Sequence, residues 1–407
     1  MRETTIAVVT ALSPSPTTLA EYGLHLLAAL GRKRGIRVVA LVEDLQVYYP
    51  SIKGVEIHRT WRFGSIGNPW RIARAVRAAG ADAVIINAHF TSFGSSKVSA
   101  ALGLLTPLLL RVLRVPVITL MHNIVETVDL GAAGFRAGRI AEILLRAIGT
   151  ALTWMVLRSH VVTTTMPRYV DVLREKYRAG NVALTPHGSF GGAPVVPSPP
   201  VASRGATVLT FGKFGTYKRV EVLIDAVRSL GRPDVQVVIA GTDSPNSPGY
   251  LASMEERYGG SDLQFRGYVP EDEVEALFRS ASVTVFPYAG TTGSSGVLHQ
   301  AGAFGCPPIM PRIGDLQDLV AEEGFTGAYF EPDDAADLAR AIAELLDDAE
   351  ARAHIARVNH VAATGLSLDE IADWYLIHVG TLVHRDPLAL LARQNDQDFM
   401  KFCKISS

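Results

Sequence analysis

The sequence predicts an α/β protein of two Rossmann-like domains, each a mostly parallel sheet wrapped by helices, with a cleft between them. Three observations carry that expectation. The chain has 407 residues, beyond the size at which one hydrophobic core keeps growing, so two domains of about 200 residues each are expected. Short β-branched apolar runs alternate with stretches of helical periodicity through both halves, which is the rhythm of βαβ units. Between the two rhythms lies 191–206, GGAPVVPSPPVASRGA, a Pro/Gly/Ser-rich segment without periodicity that reads as a linker.

Taken in order, the first domain (1–190) should hold strands at 5–12, 37–42, 83–87, 115–121 and 161–165, each an apolar run, with helices between them. The second (207–365) should hold strands at 207–211, 235–240, 263–266 and 283–287. Its helices fall near 218–230, 271–280, 296–304 and 335–346, and a final helix lies within 366–384. The polar tail, 385–407, offers little to a core.

Composition narrows the function. Hydrophobic residues make up 48% and charged residues 19%, too apolar for disorder. Cys306 and Cys403 stand in no paired or ligand spacing, which disfavours a disulfide framework and a zinc site. The start, Met1-Arg2-Glu3, runs straight into an apolar strand with no leader pattern, so a cytoplasmic protein is expected. Residues 1–190 carry 22 Lys and Arg against 11 Asp and Glu, while the rest carries 17 against 29. A basic half points to something anionic, either phosphate-bearing lipid or a membrane surface. Nucleic acid fits less well, since the arginines do not interleave with aromatics. Charges and prolines break the apolar stretches 98–120 and 141–157, so neither should span a bilayer. The segment 135–158, with Arg136, Arg139, Arg146 and Arg158, reads as amphipathic: either a core-packing helix or one lying on anionic lipid at the inner membrane face.

Two loops carry chemistry. Leu209-Thr-Phe-Gly212-Lys213-Phe-Gly-Thr-Tyr-Lys218 ends a strand in glycine and places two cations before a helix, where a diphosphate could sit. Pro287-Tyr-Ala-Gly-Thr-Thr292-Gly293-Ser294-Ser295-Gly296-Val-Leu-His-Gln300 leads from a strand through glycines and hydroxyls into a helix, aiming bare amides and the helix dipole at an anion. Two anion sites at separate strand ends suit a ligand that needs donors from more than one side. No His/Asp/Glu cluster has metal spacing, so neither metal nor cofactor is expected.

With these motifs in place, the sequence resembles the retaining, family-4-type glycosyltransferases of GT-B fold. The resemblance runs in order along most of the chain. Lys213 and Lys218 fall where that family has donor-diphosphate contacts, and Thr185-Pro-His187-Gly188 looks like its Pro-Asn-Gly element. His122, after the strand 115–121, looks like its active-site histidine; the turn Gly267-Tyr268-Val-Pro270 looks like its base-contacting turn. The last helix is similar to one that crosses back to the first domain in that family. The resemblance implies Gly212, Tyr268, Thr292, Gly293, Ser294, Ser295, Gly296 and Gln300 on the donor side. His89, past the end of a strand, and Thr17 and Thr18 of the first loop fall on the acceptor side. The family's two glutamates, spaced E-x7-E, align here with Thr292 and Gln300. Gln300 can still bond ribose hydroxyls. His299, beside it, is either core or donor contact. The implied activity is metal-independent transfer of a hexose-type sugar from a nucleotide-sugar to a glycan, lipid or small-molecule acceptor. A silent subunit that binds nucleotide or a partner, and a nucleotide-sugar epimerase, are the alternatives.

Overall fold

A computed structural model describes residues 3–15, 19–94, 96–124, 139–190, 205–244, 247–290 and 295–394, apart from the side chains of 97, 139–145 and 315. The chain divides into two compact units. Of the described residues, the first unit holds those up to 124, 139–187 and those from Leu368 on; the second holds those between Gly188 and Ser367.

The first unit is built on seven strands: β1 (Thr4–Val9), β2 (Ile36–Glu43), β3 (Val55–Trp61), β4 (Ala83–Ala88), β5 (Val117–Met121), β6 (Val161–Thr164) and β7 (Val182–Leu184). Their order is β3-β2-β1-β4-β5-β6-β7, and every pairing is parallel. β1 and β4 are buried along their whole length, as expected of the middle of a sheet covered on both faces. The helix Leu368–Val379 packs on this unit: Tyr375 is buried, and Asp369 and Asp373 pair with Arg32 and Lys33 at 2.8 and 2.6 Å.

The second unit holds β8 (Ala206–Phe214), β9 (Val235–Asp243), β10 (Leu263–Gly267), β11 (Val283–Val285), β12 (Pro308–Pro311) and β13 (Ala328–Phe330). The order is β10-β9-β8-β11-β12-β13, again all parallel. Its core joins Val208, Val237, Val283 and Ile309 of the sheet to Leu223, Ile224 and Val227 of the helix Val220–Ser229 and to Leu338, Ile342 and Leu345 of the helix Ala335–Asp347. Both helices place apolar residues three and four apart on one face, which buries against the strands.

The strands expected from sequence are present, with ends displaced by a few residues. β3, β7, β12 and β13 were not expected, and neither were the helices Tyr250–Tyr258, Gly314–Glu323 and Ala349–Thr364. Helix Arg139–Val156 occupies part of the amphipathic segment, whose Arg136 and Arg139 side chains lie outside what is described, as does Cys403. Among the described residues, no helix is long and apolar enough to cross a membrane.

Candidate functional site

In each sheet the winding direction reverses at one point, between β1 and β4 in the first unit and between β8 and β11 in the second. Loops leaving the carboxyl ends of two such strands diverge to opposite faces of the sheet and leave a crevice where ligands bind. Both candidate clusters fall at these reversals.

In the second unit, the loops after β8 and β11 are joined backbone to backbone. Arg219 N donates to Pro287 O at 2.6 Å and Ala289 N to Tyr217 O at 2.8 Å, on either side of an isolated bridge between Lys218 and Tyr288. Gly212, two residues before the end of β8, takes φ +117°, and a Cβ there would stand 2.9 Å from Lys218 Nζ and 3.3 Å from Val297 Cγ2. Only glycine combines that backbone with that approach. On β9 its register partner, Gly241 (φ +138°), would overlap the Gly212 carbonyl if it carried a side chain.

Lys218 is one of the two cations that the sequence places in this loop. Its side chain is buried, Nζ donates to Phe211 O at 3.0 Å, and the ammonium lies 4.9 Å from the ring centres of Phe214 and Tyr288. No acid pairs with it among the described residues, and desolvation pulls its pKa down to about 7. Lys213 lies one residue past Gly212 and is partly exposed. Ser295 caps the helix Gly296–Ala303, its hydroxyl accepting from Leu298 N at 3.3 Å. The other loop residues expected to contact a donor, Thr292, Gly293 and Ser294, lie outside the described residues.

Further along the same helix, Gln300 is buried rather than presented on the surface. His299 is structural. Its Nδ1 lies 2.9 Å from Ser295 O and its Nε2 2.7 Å from Glu323 Oε2. Burial, the largest single influence, opposes its charged form, but the charge and hydrogen bond of Glu323 together with Ser295 O outweigh it and the ring's pKa is raised. Tyr268, just beyond β10, is 70% exposed, held out by a turn in which Gly267 takes φ +65°.

In the first unit, His122 follows the end of β5 and Asn87 lies near the end of the neighbouring β4. His122 Nε2 is 2.7 Å from Asn87 Oδ1, and Asn87 Nδ2 donates to Thr10 Oγ1, just past β1, at 3.0 Å. The Tyr22 ring stands edge-on to His122 at 4.6 Å and to the buried His187 at 5.1 Å. Desolvation, and then the nearby His89, lower the His122 pKa to about 3, so the ring is neutral. His89 accepts from Thr91 N through Nδ1 at 3.1 Å. Thr17 and Thr18 lie outside the described residues. Asn87 was missed from sequence, where it reads as one polar residue in an apolar strand. Asn123 was missed too; its Oδ1 is buried without a partner among the described residues.

Comparison with known proteins accords with this geometry. Residues 205–348 match the family model described as "Glycosyl transferases group 1", which assigns that segment to the family. The chain is 31% identical over 147 residues to a sulfoquinovosyl transferase of Arabidopsis thaliana, covering 36% of this chain and 27% of that protein. It is 34% identical over 148 residues to a D-inositol 3-phosphate glycosyltransferase of Corynebacterium glutamicum, covering 35% of each. It is 28% identical over 243 residues to a glycogen synthase of Mycobacterium tuberculosis, covering 57% of each. The matched region thus spans between about a quarter and just over half of these relatives' length. Among solved structures, a sucrose-phosphate synthase of Thermosynechococcus elongatus superposes with TM-score 0.67 at 20% identity, over 91% of this chain and 97% of that one. HepE of Anabaena, solved in complex with UDP-glucose, superposes with TM-score 0.66 at 16% identity, over 91% and 97%. The fold is GT-B, two Rossmann-like parallel α/β sheets.

Proposed function

We propose that this chain, whose segment 205–348 is assigned to the group 1 glycosyltransferases, is a retaining enzyme that moves a hexose-type sugar from a nucleoside-diphosphate donor to an acceptor. One observation carries the reading: the two stitched loops at the β8/β11 reversal bring Lys213, Lys218 and the start of the helix Gly296–Ala303 to one place. Lysine ammonium groups and helix-terminal amides are what a leaving diphosphate needs, because its negative charge grows as the sugar–oxygen bond breaks. The relative solved with UDP-glucose supports this donor class.

The acceptor hydroxyl attacks the anomeric carbon from the face the diphosphate leaves. A donor phosphate oxygen takes the hydroxyl proton, and neither an enzymic nucleophile nor a metal is required. Lys213, Lys218 and the amides of Gly293 and Gly296 hold the diphosphate, with Ser294 and Ser295 beside them. Tyr268 meets the base and Gln300 the ribose, while His122 takes a substrate hydroxyl. His89, Thr17 and Thr18 belong to the acceptor side.

The acceptor is a glycan, a lipid or a small molecule, with a lipid favoured by one surface of the first unit. On the helix Asn68–Ala78 and the turn before it, Trp70 and Ile66 are 64% and 62% exposed, and Arg71, Arg74 and Arg77 stand exposed without an acidic partner among the described residues. An aromatic and three unpaired guanidinium groups suit the headgroup layer of an anionic membrane.

A panel of nucleotide-sugars tests the proposal, read first by thermal shift and then by release of nucleoside diphosphate with acceptor present. One donor should stabilise the protein and be turned over. Tight binding without release would make the chain a silent nucleotide-binding subunit, and no binding across the panel would end the donor assignment.

A further inference from the structure

The hydrogen bonds behind His122 have a direction that can be followed from a fixed end. Thr10 Oγ1 donates to Ala11 O at 3.1 Å. With its proton committed there, the hydroxyl accepts from Asn87 Nδ2 at 3.0 Å. That contact turns the Asn87 amide so that Oδ1, which can only accept, faces His122 Nε2 at 2.7 Å. The ring nitrogen must then carry the proton. Two features hold the chain in place. Asn87 is 3% exposed, so no bulk water competes for its amide. Gly23, in the helix Ala20–Gly31, packs so closely that a Cβ would overlap both Thr10 Oγ1 and Ala11 O.

We infer that Asn87 is a positioning residue, anchored through Thr10 on the Ala11 carbonyl, that locks His122 in the Nε2–H tautomer and leaves Nδ1 as the ring's only acceptor. Nδ1 has no hydrogen-bond partner among the described residues. Whatever His122 takes there must present a hydrogen, as a hydroxyl does and a phosphate oxygen does not. The consequence for transfer rests on the reading of His122 as a substrate contact. The lock itself does not, since it exists in the free protein. The other titratable groups around the ring are His89, His187 and Tyr22.

Nitrogen-15 spectra of the histidine rings in the free protein test the lock directly. At pH 7.5 His122 should show a protonated Nε2 and a bare Nδ1; a protonated Nδ1 would overturn the inference. In Asn87→Leu, with far-UV circular dichroism unchanged, the Nδ1–H form should become populated, and a ring that stays wholly Nε2–H would show that Asn87 does not lock it. Asn87→Asp keeps an acceptor against Nε2 but adds a negative charge, so the His122 pKa should climb by two units or more. Below that raised value the ring is an imidazolium, Nδ1 no longer accepts, and transfer should fall at least threefold between pH 7.5 and 4.5, relative to the unmodified chain over the same interval. A profile for Asn87→Asp that parallels the unmodified one would refute the positioning role. Should the unmodified chain transfer no sugar at all, the proposed function fails while the spectra still decide the lock.

Discussion

Binding of a nucleoside diphosphate should draw a proton from solution, and Lys218 should be where it goes. Moving a lysine from its ordinary pKa of 10.5 to about 7 corresponds to roughly 5 kcal/mol against the charged form, at about 1.4 kcal/mol per unit. A diphosphate beside the ammonium recovers a comparable amount, since one unit charge at about 4 Å contributes about 4 kcal/mol at an effective dielectric constant near 20. The free protein therefore holds Lys218 mostly neutral at pH 8, and the complex holds it charged. Uptake should be roughly 0.9 proton per site at pH 8 and roughly 0.5 at pH 7. Calorimetric titration with UDP, ADP and GDP, repeated in two buffers of different ionisation enthalpy, reads that number from the dependence of the heat on the buffer. Lys218→Met fills the same buried space without a titrating group and should abolish the linkage at pH 8. Affinity should also weaken with rising pH above 7, by up to about tenfold per unit, until the pKa of the complex is reached. Proton uptake near zero at pH 8, or an uptake that persists in Lys218→Met, would refute this account of the site.

Three other outcomes follow from the same structure. Gly212→Ala forces a side chain onto a φ of +117° and against Lys218 Nζ; the strain costs about 1–2 kcal/mol, and diphosphate affinity measured by calorimetry should drop at least tenfold in a protein that still folds. Glu323→Gln removes the charge facing His299, whose raised pKa means that the pair's contribution is complete below the ring's ordinary value and lost as pH rises through the raised one. Urea unfolding should therefore show a loss of about 2 kcal/mol at pH 5.5, shrinking toward pH 9; a pH-independent loss would mean the ring is not charged. Trp70→Ser combined with Arg74→Glu should release the chain from vesicles containing anionic lipid in co-sedimentation at low salt, with nucleotide binding intact, and equal pelleting of both proteins would exclude this surface as the membrane contact.

Much of the second unit's candidate site was legible in the sequence, because the pattern of a strand–loop–helix segment is local. Gly212, Lys213, Lys218 and the Ser295–Gly296 helix start lie on two short segments whose strand-to-helix character shows in their residues. Apolar β-branched runs likewise announced β1, β2, β4, β5, β8 and β9. The strands that escaped have physical reasons to. β3 is an edge strand whose buried and exposed residues mix as Val-Glu-Ile-His-Arg-Thr-Trp, and β12 begins and ends with proline, which local rules count against a strand.

What the sequence determined by itself is therefore the parallel α/β class, the two-part division and the two segments of the candidate phosphate site, since these depend on periodicity and on residues adjacent in the chain. The tertiary structure alone decided two electrostatic facts. The pKa of Lys218 is pulled down because the loop after β11 closes over it and removes water. His122 takes one tautomer because β1, β4 and β5 lie side by side, bringing Thr10, Asn87 and His122 into hydrogen-bond distance across 112 positions of sequence. Burial and strand order set both, and neither is a property of any local stretch of chain.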